Sequence, residues 1–309
     1  MFRKLFDPRI WKRIYVERLG EPLLYNLVSL FVFLFGNIVT QIKYDTVPRQ
    51  PYAFGLGEAF RVASQQSSNL GIERIVIVEF GVASGAGLLN LCKISQKLSR
   101  YYNLPVLVVG FDSGEGMSVP VDYRDHPEKY LDGDFPPHDR KQLDSALPRN
   151  AEVVYGPISE CVGQIDGMLS EGDFISFISI DVDYWSSTND CLKIFDNKAL
   201  NFLPTLPMYF DDVNNIDHHP YAGELLSIRE YNEGSAHKKI VKMNQLRNWR
   251  LFKDALWLDQ MYWFYDLESS YFTRDFHSTR KRIKLGNPYL GQIGEVVVPG
   301  STPSIKEAL

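Results

Sequence analysis

A doubly wound α/β fold on a mostly parallel sheet is predicted by three features of this 309-residue sequence. Apolar, β-branched runs recur between residues 73 and 212, helical patterns alternate with them, and the runs end in acidic or glycine-rich turns. Strands covered by helices on both faces read as continuous apolar runs, with no strict alternation. Strand–helix alternation argues for right-handed crossovers into one parallel sheet.

"ERIVIVEF" (73–80) is the first such strand, followed by a glycine-rich turn and the helical pattern "LLNLCKISQKLSRYY" (88–102). "PVLVVGFD" (105–112), "AEVVYG" (151–156) and "FISFISID" (174–181) are the next three strands. A helical segment, "TNDCLKIFDNKAL" (188–200), leads to a fifth, "PMYFDD" (207–212). "KKIVKMNQL" (238–246) and "MYWFYDL" (261–267) are expected to add a terminal antiparallel pair. Residues 113–150 interrupt the alternation with a Pro-, Gly-, Asp- and His-rich stretch, whose length predicts a lid or a disordered loop and whose aromatic content favours a lid. Its histidines, His126 and His138, lack metal-ligand spacing and are expected to be solvated. The aromatic stretch 248–272 has two readings, core packing and the floor of an acceptor pocket, of which core is the default.

With 45% hydrophobic and 23% charged residues the composition is that of an ordinary globular protein. A net charge of −5 gives no basic footprint for nucleic acid. Cys92, Cys161 and Cys191 are odd in number and far apart, which fits neither a disulfide framework nor a zinc pattern and predicts a reducing, cytoplasmic setting. A homo-oligomer is compatible with the sequence. The basic start "MFRKLFDPRIWKRIYVERLGEP" shows no signal-peptide cleavage site and precedes twenty uncharged residues, 23–42. That run is long enough for a membrane anchor on the inner face. Its Asn26, Ser29, Gly36, Asn37, Thr40 and Gln41 instead predict a buried helical cap. The expected organisation is a helical extension (1–50), the main domain (51–285) and a tail (286–309).

Ligands of open parallel sheets bind beyond the carboxyl ends of the strands. "VEFGVASGAG" (78–87) supplies an acid and then glycines there, without the spacing of a dinucleotide fingerprint or a phosphate loop. Asp112, in "GFDSGEGM", ends the second strand, where an acid can accept from both hydroxyls of a ribose. "IDVDYWSST" and "YFDDVNN" load carboxylates onto the fourth and fifth strand ends.

In this order the set E-x-G-x-x-x-G, G-F-D-S-x-E-G, I-D-x-D-x-x-S-S-T and F-D-D resembles the class I S-adenosylmethionine-dependent methyltransferases. It is most similar to the macrocin O-methyltransferase-like group of sugar and natural-product enzymes, over residues 50–270. The resemblance implies a Rossmann-like, mostly parallel seven-stranded sheet and S-adenosyl-L-methionine as co-substrate. It implies Glu79, Gly81 and Gly85 around the methionine part, Asp112 and Ser113 at the ribose, and Gly156, Ile158 and Ser159 beside the adenine. Ala83 stands where many members have glycine, a change expected to cost little.

Catechol-type and macrocin-type members hold magnesium on one acid after strand four and two acid or amide residues after strand five. The matching residues are Asp181, Asp211 and Asp212. Three converging carboxylates repel one another and suffer desolvation unless a cation compensates them. The alternative for Asp183 and Asp212 is a turn or N-cap role. The implied reaction is O-methylation of a hydroxylated small molecule, such as a sugar or glycolipid. Its alternatives are a metal-independent methyltransferase and a non-catalytic cofactor binder. The catechol enzymes' lysine corresponds to Tyr184 here, so the base is sought among Asp181, His218 and His219.

Overall fold

The computed structural model describes residues 20–137, 139–273, 282–291 and 295–297. Residues 1–19, His138 and part of the 286–309 tail lie outside them. Strands β1 (Arg74–Phe80), β2 (Val106–Asp112), β3 (Ala151–Tyr155), β4 (Asp173–Ile180), β5 (Asn201–Phe202), β6 (Thr205–Phe210), β7 (Lys238–Lys242) and β8 (Met261–Asp266) form one sheet. The order is β3-β2-β1-β4-β6-β8-β7, with the two-residue β5 beside β4. β8 runs antiparallel to both β6 and β7, while β1 to β6 are parallel. This is the doubly wound, Rossmann-like layout expected of the methyltransferase fold, including its antiparallel terminal pair.

The apolar runs are strands because both sheet faces are covered. Every residue of β4 is buried, as are six of the seven in β1. The helices of this unit are α1 (Leu23–Phe35), α2 (Ile38–Lys43), α3 (Gln50–Leu70), α4 (Ala86–Tyr102), α5 (Arg140–Ala146), α6 (Ile158–Cys161), α7 (Trp185–Leu192), α8 (Gly223–Gly234) and α9 (Leu246–Trp249). From β1 the chain crosses toward β2, but from β4 it crosses the other way, toward β6. Right-handed crossovers therefore place α4 and α7 on opposite faces, and the chain reverses at β1/β4. The expected 188–200 helix is shorter and starts earlier: α7 passes into a 3-10 turn over Lys193–Asp196. The Asn197 side chain then accepts from the Ala199 amide and ends it.

The extension is helical in its described part, and its two helices behave differently. α2 places Ile38 and Ile42 in the core. α1 instead buries Asn26, Ser29 and Val32. Of the polar residues that predicted a cap, Asn26 and Ser29 therefore face inward, while Leu23, Leu24, Leu27, Phe31 and Phe35 face out. Arg250 ties this region to the body: it donates to the Ile42 carbonyl at 2.8 Å, pairs with the buried Asp45 carboxylate, and lies over the adjoining rings of Phe54 and Trp257. This unit runs to Leu267. A second unit, from Glu268, contains a helical turn at Ser270–Thr273 and the antiparallel pair Arg282–Lys284 with Glu295–Val297.

Candidate active site

Because β1, β2, β3, β4 and β6 are parallel, their carboxyl ends share one edge, on both sides of the β1/β4 reversal. The ladder continues one residue past each strand: Gly81 N–H donates to Phe111 O, Asp181 N–H to Phe80 O, and Asp211 N–H to Ile180 O, at 2.9–3.1 Å. Gly81 follows β1 at φ +85°, and a Cβ there would stand 1.8 Å from the Asp181 carbonyl oxygen. Only glycine lets the two strand ends approach so closely.

Glu79 is fully buried and accepts from the Tyr52 hydroxyl, in the first turn of α3, at 2.8 Å. A Cβ on Gly87 would meet its Oε1 at 2.2 Å, so that glycine makes room for the carboxyl. Burial pushes Glu79 up to about 8, with Asp181 adding to the rise, while the Tyr52 bond and Arg49 oppose it. Its Oε2 has no partner among the described residues. Gly85 opens α4 and faces Leu143 of α5, so the 113–150 segment covers this turn.

Asp112 braces the glycine turn. Oδ2 accepts from the amides of Val82 (2.8 Å) and Ala83 (2.7 Å), and Oδ1 from that of Gly114 (2.6 Å). A carboxylate offers about four lone-pair positions, so one is left for a ligand hydroxyl where two were expected. Ser113 donates to the Gly116 carbonyl at 2.7 Å, within the same turn. Gly156 lies next along the edge, its N–H on the Asp112 carbonyl. Ile158 begins α6, and Ser159 is exposed.

Ala83 is held at φ +45°, a left-handed conformation that costs an L-residue about 1–2 kcal/mol. The missing glycine is therefore no small change. Ala83→Gly is expected to stabilise the fold by about 0.5–1 kcal/mol, once the entropy of the unfolded chain is subtracted. A urea midpoint that stays or falls would show an unstrained turn.

Beyond β4 and β6, single ligand atoms of Asp181, Asp211 and Asp212 lie within 4.8 Å of one another. Burial, then the charges of neighbouring aspartates, raises both Asp181 and Asp212 well above the carboxylate range. Asp212 Oδ2 and Glu224 Oε1 are buried without a partner among the described residues. Hard oxygen donors at this spacing, with orphaned carboxylate oxygens beside them, fit one magnesium ion. Asp212 also has the turn role: its side chain accepts from Asn215 at 2.9 Å, and its N–H donates to Glu224. Asp183 is left-handed (φ +60°), and Tyr184, not Asp183, is the N-cap of α7.

His218 donates Nδ1–H to the Asp212 carbonyl, which leaves Nε2 as an acceptor without a partner among the described residues. Burial lowers its imidazole below the ordinary value. His219 is exposed, its Nδ1 accepting from the Tyr221 amide. His126 is not solvated as expected. Asp122 caps a 3-10 turn that ends on His126 at φ +54°, and this tucks the ring inward. It stacks on His218 with centroids 4.9 Å apart and bonds Glu128 through Nδ1. Asp125, beside it, accepts from Ser186 N–H and Oγ at 2.8 Å, capping α7 from the 113–150 segment.

Residues without a sequence signal complete the site. Tyr209 donates to Asp211 Oδ1, and Gln260, from the turn before β8, donates to the Asp211 carbonyl. Arg49, the N-cap of α3, lies over the Tyr52 ring, within the electrostatic reach of Glu79 and Asp181.

No family model matches the chain, and no curated protein does. Among solved structures, a calicheamicin methyltransferase is 19% identical, with 73% of this chain and 82% of that one covered and a TM-score of 0.43. An O-methyltransferase from Bacillus cereus in complex with SAH is 15% identical over 70% and 89%, at 0.31. The SAH-bound methyltransferase PaMTH1 of Podospora anserina is 12% identical over 78% and 94%, at 0.36.

Proposed function

We propose that this chain transfers a methyl group from S-adenosyl-L-methionine to a hydroxyl of a small molecule, of the sugar or glycolipid type, with magnesium held by Asp181, Asp211 and Asp212. The observation that carries the reading is the convergence of these three carboxylates on the edge that also bears the Glu79–Gly85 turn and Asp112. The two halves of that edge fit the two parts of such a reaction. Glu79, with a buried oxygen lacking a partner, suits the ammonium of the methionine part. Arg49 suits its carboxylate, and Asp112 has one acceptor position for the ribose. Magnesium on the trio supplies Lewis acidity that makes an acceptor hydroxyl a better nucleophile.

The chain's own residues do the rest. Tyr209 and Gln260 hold Asp211 in place. His218, its tautomer set by the Asp212 carbonyl, is neutral and presents Nε2 to take the acceptor's proton. Leu143, resting on Gly85, helps the 113–150 segment exclude water from the turn. A metal-independent transferase is favoured by one observation: raised carboxyls at Asp181 and Asp212 can also relieve their repulsion by taking up protons.

Labelled S-adenosylmethionine, offered with glycans, phenols and lipid extracts, is expected to label an acceptor with magnesium and not with chelator. Transfer in chelator would favour the metal-independent enzyme. Calorimetry is expected to find S-adenosylhomocysteine binding that weakens about tenfold to a hundredfold in Asp112→Ala. Binding without transfer to any acceptor would point to a non-catalytic binder, and no binding would overturn the reading.

A further inference from the structure

We infer that α1 is a membrane-surface element that lies in the interface of an anionic lipid bilayer. The inference is independent of the methyl-transfer reading. Successive residues of a helix turn by about 100°, so Leu23, Leu24, Leu27, Phe31 and Phe35 of α1 fall in one sector of about 120°. Each of the five is between 59% and 74% exposed. The opposite side, with Asn26, Ser29 and Val32, is the buried one. A water-facing helix has the reverse arrangement. The 249–256 segment, which receives the start of α1 through Glu21 and through Phe252 against Tyr25, exposes Trp249 and Leu256 as well. An exposed tryptophan suits the headgroup level of a bilayer.

α1 has 13 residues, about 20 Å of helix. That is short of the roughly 30 Å hydrocarbon core, and among the described residues no helix is long and apolar enough to cross a membrane. Lying in the interface needs only one apolar face and a second, electrostatic attraction. The sequence supplies the second. Residues 1–20 carry Arg3, Lys4, Arg9, Lys12, Arg13 and Arg18 against Asp7 and Glu17, in a chain whose net charge is −5. Basic segments next to an apolar helix are drawn to anionic headgroups. A second copy of the chain is the other occupant that such a face admits, and the test below distinguishes it.

The full chain is tested by co-sedimentation with phosphatidylcholine vesicles, with and without phosphatidylserine. Binding is expected to be at least tenfold stronger to the anionic vesicles and to fall as salt is raised. Leu27→Glu/Phe31→Glu is expected to lose at least tenfold in binding at an unchanged melting temperature, since both side chains are exposed. Leu24→Ser/Leu27→Ser provides a milder check should the charged variant unfold. Wild-type protein that binds neither vesicle, or folded variants that bind as wild type, would overturn the inference. So would light scattering that finds a dimer split by these substitutions without any vesicle binding.

Discussion

Asp181→Asn and Asp211→Asn are each expected to abolish most methyl transfer, by about a hundredfold or more, because a neutral amide replaces a carboxylate at a hard cation. S-adenosylhomocysteine affinity should change by no more than a few-fold, since both residues lie past β4 and β6 while the proposed cofactor residues lie at the ends of β1, β2 and β3 and at the start of α3. Wild-type activity should vanish on chelation and return with added magnesium. Without metal the same variants are expected to melt at a higher temperature, as each removes one charge from a half-buried cluster of aspartates. Turnover that survives excess chelator, or an active Asp181/Asp211 double variant, would sink the metal mechanism. The metal-independent transferase would then be the better account.

Arg250→Ala carries the largest expected effect on stability. The guanidinium and the Asp45 carboxylate are both buried, and removing one partner of such a pair costs about 3–5 kcal/mol, chiefly through the charge left behind. The substitution also deletes a donor to the Ile42 carbonyl and the packing on Phe54 and Trp257. Equilibrium urea unfolding measures the effect. A loss below about 1 kcal/mol, the range of an exposed pair, would mean that the connection between α2 and α3 is held by other contacts.

Much of this fold is legible in the sequence because its strands are buried on both faces. Runs such as Ile75–Val78 and Phe177–Ile180 admit few other readings. The candidate acids are legible for a related reason: in a parallel sheet the residue after each apolar run must sit on the shared edge, which locates Asp112, Asp181 and Asp211 together. Residues that reach the edge from elsewhere carry no such signal. Tyr52 is one apolar-looking position in a long helix, and Gln260 a polar residue before a late strand. Their roles depend on α3 and β8 packing beside β6. His126 departs from the expectation because a loop rich in proline and aspartate reads as solvated, while its own left-handed backbone turns the ring inward. In α1 the polar residues predicted burial and are indeed buried. The outward direction of Leu23, Leu24, Leu27, Phe31 and Phe35 is carried by their helical spacing, which a count of apolar residues does not register.

The brace made by Asp112 has a consequence for the kinetics and entropy of association. Three amides of two consecutive strand-end turns are already fastened to one carboxylate, so their dihedral freedom is surrendered when the chain folds and not when a ligand arrives. A flexible loop in that place would have to be ordered at each encounter, subtracting from affinity and slowing capture. Here the ordering is done once, by a residue in the middle of the edge itself. The turn thus behaves as a rigid seat, and differences in affinity among ligands that occupy it should come from how quickly they leave.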